Sequence, residues 1–479
     1  MNEVNYDVII IGAGMGGLGA GLYLQAKNPK LKSIILEQHS IPGGYVTGFK
    51  RKGYYFDGGA EGFSGMVPEG SLRKALKELG FEHDFIRIDP LDVYYYEGIK
   101  FSMYNDLKKL LDEVKTNFPE DEKGFREFVE KCFEITHELQ EGKEFPEFNN
   151  IGFIDFIGKY VKSDYIKDAF NLFSMWYGVP PHELPVTTGA SIVYMMINIG
   201  VYYPKGGMQA FSDGLTEFYK KNGGEIYFNK MVEKILVENG KTTGVQLEDG
   251  TIIKSKWIIS NADAKRTILQ YTGKEHFSEE FVEFMNDLKV SPTGFMLYLG
   301  VDMDLSSYPS HFQIGKDLDI IKKVSEDKFT MEKLAVRIPA NIEPALCNEG
   351  KYGLVAFIFA PYNWENYWKA GEEKIRGEEY KKLKDEIADE AISIIEKVIP
   401  NIREKIEVKE LATPLTFERY LQVTDGAWFG SLSFRKKPDM QTPISNLLLV
   451  GASVKGSGAP SALRHGLTVG KYILEKIME

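Results

Sequence analysis

The sequence predicts an α/β fold in which a Rossmann-type nucleotide-binding domain, assembled from both ends of the chain, is interleaved with an α+β domain. Three observations carry this. A buried-strand run near the start leads at once into GxGxxG, and a second such run ends in an acidic residue twenty positions beyond the last of those glycines. A further apolar run ending in glycine lies close to the carboxyl terminus.

Residues 8–11 are an unbroken apolar run, as expected of a strand covered on both faces. Gly12-Ala13-Gly14-Met15-Gly16-Gly17 follows, and Gly12, Gly14 and Gly17 satisfy the fingerprint. Their tasks differ: a tight turn, close approach of backbone to pyrophosphate, and close packing of helix on strand. Residues 17–27 carry apolar side chains at helical spacing and stop before Pro29. Such a helix would turn its positive end toward the pyrophosphate. A strand over 33–36 then delivers Glu37, a carboxylate able to accept from both ribose hydroxyls of an adenosine, which also disfavours a 2′-phosphate and hence NADP.

The chain has 479 residues, enough for two or three domains, and a formal charge of −11, which argues against a nucleic-acid partner. Its two cysteines, Cys132 and Cys347, suit a reducing cytoplasm, and no Cys or His spacing suggests a metal. The opening residues do not read as a signal peptide. The longest apolar stretch after them, 189–203, is short for a membrane span and is interrupted by Asn198 and Gly200. A cytoplasmic protein is expected, soluble or peripheral to one membrane leaflet.

Pro42-Gly43-Gly44 comes soon after Glu37, and Phe56-Asp57-Gly58-Gly59 follows a short basic, hairpin-like segment. With Glu37 these residues resemble the FAD signature of the flavin amine oxidase and phytoene desaturase superfamily. That resemblance implies a GR2-like FAD-binding domain in which the paired glycines run against the pyrophosphate and the dimethylbenzene side of the flavin. Tyr45 stands where the family usually has Arg, so an expected phosphate contact is missing. The resemblance continues through Tyr203-Pro204-Lys205-Gly206-Gly207-Met208, a helix to 221, strands over 225–228 and 229–236, and a strand over 257–260 before Asn261-Ala262-Asp263. Asp263 could equally cap a helix. Near the end, 447–450 reads as a strand, followed by Gly451, Gly456, Gly458 and Pro460 and a closing helix over 461–476. The FAD-binding residues so implied are Gly12, Ala13, Gly14, Met15, Gly17, Glu37, Gly43, Gly44, Tyr45, Gly58, Gly59, Val232, Gly451 and Gly458. Donors in the last element would stabilise negative charge at N1 and O2 of the reduced flavin.

Domain boundaries follow. Residues 1–70, 203–265 and 425–479 form the FAD-binding domain, and 71–202 and 266–424 the substrate domain. The first insertion reads as helix-rich and aromatic, with Phe170, Phe173, Trp176 and Tyr177; the second mixes strands over 294–301 and 353–359 with an amphipathic helix over 380–399. The stretch 413–420 with Asp425-Gly426 resembles desaturase-like and retinol-saturase-like proteins, and Glu418 reads as a partner for Arg419.

With one fingerprint, taken by FAD, electrons must come from or go to an external carrier such as a quinone or NAD(P)H. The resemblance implies hydride transfer to or from a carbon–carbon bond of a lipophilic, isoprenoid or polyene substrate, by a desaturase or saturase; the direction stays open. His465 and Tyr203 are the candidate catalytic proton carriers, each with packing as the plainer role. Residues 153–177 and Trp364, Tyr367 and Trp368 are candidate sites of peripheral membrane contact. Three other readings share the signature: a redox-neutral carotenoid-type isomerase, an amine oxidase, and a prenyl-protein escort factor. Retention of Glu37 and both glycine pairs disfavours the escort factor, which has no need of a flavin.

Overall fold

The computed structural model describes residues 5–347, 350–432, 435–455 and 458–479. Two seven-stranded sheets organise them. In the first, Glu225–Tyr227, Ser33–Leu36, Asn5–Ile11, Ile252–Ser260 and Leu447–Leu449 run parallel in that order. An antiparallel pair, Val232–Glu238 and Lys241–Leu247, extends from the early part of Ile252–Ser260. Ile9 pairs with Ile258, Ile10 with Ile35 and Ile258 with Leu447, so the carboxyl ends of these strands finish level. Backbone bonds carry the ladder one residue further: Gly12 N–H donates to Leu36 C=O, Asn261 N–H to Ile11 C=O, and Val450 N–H to Ser260 C=O, at 2.8–2.9 Å. Gly12, Glu37, Asn261 and Val450 thus share one edge, where ligands of such sheets bind.

The helix Met15–Lys27 follows the first strand, and the closing helix Ala459–Met478 packs on it. Glycines let the two axes approach. A Cβ on Gly466 would lie 2.2 Å from the Gly16 carbonyl oxygen, and one on Gly470 2.7 Å from that of Ala20. The hairpin expected after Gly44 is present, Gly48–Arg51 against Tyr54–Asp57.

The second sheet has the order Ile406–Ala412, Thr293–Asp302, Lys351–Ala360, Lys333–Arg337, His311–Gly315, Asp92–Tyr96 and Ile99–Met103. Its strands alternate in period two. Phe295, Leu297, Leu334, Val336, Leu354 and Ala356 belong to a core shared with the helix Glu378–Ile395, which buries Ile387, Ala388, Ala391, Ile392 and Ile395. Each such aliphatic side chain contributes about 1.5–3 kcal/mol when fully buried. Met296, Tyr298, Ala335, Val355 and Phe357 belong to the opposite cluster. The first insertion is helix-rich, and it also contributes two strands over 92–103 that the sequence did not mark: Asp92–Tyr96 joins this sheet parallel to His311–Gly315. Alternation over DVYYY is masked by tyrosines that are apolar in body and polar at the tip.

The interfacial reading of 153–177 is also corrected. Phe153, Phe156, Phe170 and Phe173 pack with Phe125 and Phe128 in the interior, and Trp368 is fully buried with Nε1 donating to Pro361 C=O at 2.7 Å. Aromatic rings among lysines here serve the core, the lysines covering its surface. No helix among the described residues is long and apolar enough to cross a membrane.

Candidate functional site

Where the carboxyl edge of the first sheet meets the Met296/Phe357 face of the second, a cavity of about 950 Å³ opens. At one end stand Glu37, Gln38, His39 and Val232. Glu37 is buried and preorganised: Oε2 accepts from Ala13 N–H at 2.7 Å and Oε1 from His39 N–H at 2.8 Å. Burial raises its pKa, and those two backbone donors oppose the rise.

Next along the cavity come Gly12, Gly14, Met15 and Gly16. Gly12 has φ +90°, which only glycine adopts without strain, and Gly43 and Gly44 also have positive φ. Gly43 N–H donates to Ala13 C=O at 2.8 Å, docking the second glycine pair onto the first loop. The helix Met15–Lys27 begins with no side-chain cap and no acidic residue in its first turn. So does Ala459–Met478, whose first residues, with Gly458, line the same cavity. Two positive helix ends with unpaired N–H groups therefore converge on one space, an arrangement suited to anionic oxygen. A cavity of this volume, lined by a buried ribose-type acceptor, the glycine loop and two uncapped helix starts, fits FAD.

The remaining predicted positions divide. Gly43, Gly44, Tyr45, Gly58 and Gly59 line the cavity. Ala13 acts through its N–H on Glu37. Gly17 lies beneath the loop, where a Cβ would come 2.1 Å from Gly12 O, the packing role expected of it. Tyr45 donates to Ala427 C=O at 2.8 Å, so its phenol ties two loops together. Gly451 is corrected: Val450, Ala452 and Ser453 line the cavity, while Gly451 packs under it, where a Cβ would meet Asn261 Oδ1 at 2.7 Å. Gly456 lies outside the described residues. Asp263 caps the turn Ala264–Arg266 and also accepts from Thr424.

Both candidate proton carriers are corrected. Tyr203 is 1% exposed and does not reach the large cavity; its hydroxyl donates to Asp57 Oδ2 at 2.7 Å. His465 also misses the cavity, and its Nδ1 accepts from Gly451 N–H at 3.3 Å. Burial first, then the Lys455 charge, pushes the His465 pKa down to about 4. Because the folded value lies below the unfolded one, His465 contributes stability above pH ~6.5 that is lost as pH falls toward ~4. His465→Gln, keeping an acceptor for Gly451, is expected to lose about 2 kcal/mol less than the parent between pH ~7 and ~4.5. Urea titrations at the two pH values measure the difference. The pairing of Glu418 with Arg419 is corrected too: Glu418 binds Lys374 at 2.7 Å and Arg266 at 3.2 Å, and Arg419 lies over the Tyr420 ring.

Sequence reasoning missed what lies beyond Gly59. The cavity continues into a chamber walled by Leu172, Met175, Trp176, Tyr177, Ile192 and Met195. One side of this apolar space is charged. Arg337 Nε donates to Glu61 Oε2 at 2.7 Å and its terminal nitrogen to Asp92 Oδ2 at 3.1 Å; Gln313 also donates to Asp92 at 3.0 Å. Burial pushes both carboxyls up, and Arg337 opposes this in each. Burial, then the Arg337 charge, holds the neighbouring His311 well below the usual imidazole value. A weak signal existed: Gln313 stands between Phe312 and Ile314, and Arg337 closes the run Leu334-Ala335-Val336.

The sequence of residues 15–268 matches the model of the flavin containing amine oxidoreductases. The chain belongs to that family. It is an FAD-dependent oxidoreductase. The flavin oxidoreductase is 27% identical to a chloroplastic prolycopene isomerase of Daucus carota, over 88% of this chain and 71% of that protein. It is 26% identical to a 4,4'-diapophytoene desaturase of Methylomonas sp, over 98% and 95%. An oxidoreductase of Methanosarcina mazei shares the fold, with TM-score 0.70 and 19% identity over 97% of this chain and all of that one.

Proposed function

We propose that this flavin oxidoreductase moves hydrogen to or from a carbon–carbon bond of a lipophilic polyene of isoprenoid type. The observation that carries this reading is the continuity of the nucleotide slot with the apolar chamber behind Gly59. A narrow chamber walled by aliphatic and aromatic side chains takes an extended hydrocarbon, its walls contributing roughly 25 cal/mol per Å² of apolar surface they cover. The relatives named for a carotenoid isomerase and a carotenoid desaturase point to the same substrate class.

When bound, FAD supplies hydride chemistry at N5. The chain's own residues hold and enclose it. Glu37 would accept from the adenosine ribose, the loop from Gly12 to Gly16 and the start of Met15–Lys27 would take the pyrophosphate, and the start of Ala459–Met478 would lie at the pyrimidine end. Gly58 and Gly59 line the cavity and pack against the Tyr45–Thr47 loop, where a Cβ on Gly58 would meet Thr47 Oγ1 at 2.4 Å and one on Gly59 the Tyr45 ring at 2.8 Å. Tyr298, donating to Gly58 C=O at 3.2 Å, and Trp428 wall the junction between slot and chamber and exclude water there. Residues 1–70, 203–265 and 425–479 form the flavin domain on this reading, and the rest receives substrate. Electrons reach or leave the flavin through an external carrier of quinone or nicotinamide class.

Anaerobic reduction of the yellow protein, followed by mixing with phytoene, lycopene and retinol in detergent micelles, tests the reading. Flavin re-oxidation with a two-hydrogen mass gain marks saturation. Isomer conversion without mass change marks the redox-neutral alternative, which the isomerase relative favours. Absence of mass change, isomer conversion and change of flavin redox state with every one of these, starting from reduced or from oxidised protein, rejects the polyene. Met195→Arg, placing a cation in the half-buried chamber wall, is expected to cut polyene turnover at least ~10-fold and leave flavin content unchanged. Steady-state rates and the flavin-to-protein absorbance ratio report the two quantities.

A further inference from the structure

We infer that the Glu61 carboxyl exchanges the reaction's proton with substrate, and that Arg337 positions it. The inference rests on the hydrogen-transfer reading and deepens it. Three facts of placement select Glu61. It follows Gly58-Gly59 by two residues, at the junction of slot and chamber. Of the three charged groups in the cluster, its side chain alone has substantial free surface: 30%, against 7% for Arg337 and 1% for Asp92. Glu61 is among the residues that line the cavity. Arg337 holds one of its oxygens, and the other has no hydrogen-bond partner among the described residues.

The charges facing Glu61 explain why its proton is mobile. Arg337 from the Lys333–Arg337 strand is one cation shared between two carboxylates, Glu61 and Asp92. Asp92 is tied down further by Gln313 and feels Lys333, which pairs with Asp168. Asp57, beside the small void Glu61 also lines, is bonded by Tyr55 and Tyr203. His311 stays neutral. Two carboxylates on one guanidinium in an apolar wall leave one negative charge uncompensated, and the group open to the chamber can relieve it by taking a proton.

The step balances in both directions. In saturation the π bond breaks, one carbon gains hydride from reduced FAD and the other gains the Glu61 proton; substrate is reduced by two electrons, FAD is oxidised, and water reprotonates Glu61. In desaturation one carbon loses hydride to oxidised FAD while its neighbour loses a proton to the Glu61 carboxylate. The electrons then leave to a quinone-class acceptor.

Glu61→Gln keeps an acceptor for Arg337 Nε and cannot exchange the proton. It should retain flavin and reduction by dithionite and lose about 100-fold in polyene turnover. Glu61→Asp should restore part of the rate. Arg337→Lys should move the pH profile of turnover upward, a change that a purely structural tie would not produce. Independently of any substrate, infrared titration of the holoprotein should show a carboxylic acid band with a midpoint above the ordinary carboxylate range that is missing in Glu61→Gln. An unchanged band, or unchanged polyene turnover in Glu61→Gln, overturns the assignment. If the parent protein reacts with no polyene, the hydrogen-transfer reading falls, and Glu61 is judged on the infrared band alone.

Discussion

Glu37→Ala should yield a protein that loses most of its flavin on dialysis. The carboxylate does two things at once: it would bind the ribose hydroxyls, and it already accepts from Ala13 and His39 N–H groups in a buried position. Removing it deletes charge-assisted bonds to the ligand, worth about 1.5–3 kcal/mol each. It also leaves two buried donors without partners, at about 1–3 kcal/mol each. Since ~1.4 kcal/mol is tenfold in affinity, a fall of at least ~100-fold is expected. Glu37→Gln, with one acceptor left, should fall between. The ratio of flavin to protein absorbance after dialysis, and fluorescence titration of the apoprotein with FAD, measure the series. Unchanged retention in Glu37→Ala would remove the ribose assignment.

The second large effect should come from a position that touches no ligand. In Gly466→Val the new Cβ would sit 2.2 Å from Gly16 O and 2.8 Å from Ala20 N. Both are backbone atoms of the opening helix, so no rotamer change relieves the clash. The closing helix must move outward by more than an ångström, breaking the contact of Gly19 with Leu463 as well. Overpacking of this kind costs about 3 kcal/mol. Gly16 belongs to the dinucleotide loop and the closing helix supplies the other wall of the slot, so cofactor and stability should fail together. A lower urea midpoint with reduced flavin content is expected; a stable, fully yellow Gly466→Val protein would show that the helices can separate without disturbing the slot.

How far the sequence carried can be seen at particular residues. The strand–loop–helix from Asn5 to Lys27, Glu37 at the end of its strand, and the late strand before Gly451 were all legible, because each is a local pattern with a local cause. Apolar runs make doubly covered strands, and glycines permit positive φ and close approach. Gly16 escaped notice because GxGxxG leaves that position free, yet a Cβ there would strike Asn261 and Gly451. Tyr203 was singled out for its place before Gly206-Gly207 and His465 for its place in the closing element, and both are committed to interior bonds, with Asp57 and Gly451.

By itself, the sequence determined the nucleotide half, because backbone conformation, a terminal carboxylate and helix starts are properties of short segments; that the nucleotide is FAD came from the family resemblance. Only the tertiary structure decided what the flavin would face. The chamber is bounded by a helix over 186–198 and strands drawn from 92 to 412, and its charged side joins Glu61, Asp92 and Arg337 across up to 276 residues of chain. No periodicity encodes a meeting between residues so distant; it follows from two sheets burying opposite faces, which leaves the few polar side chains on those faces no partners but one another.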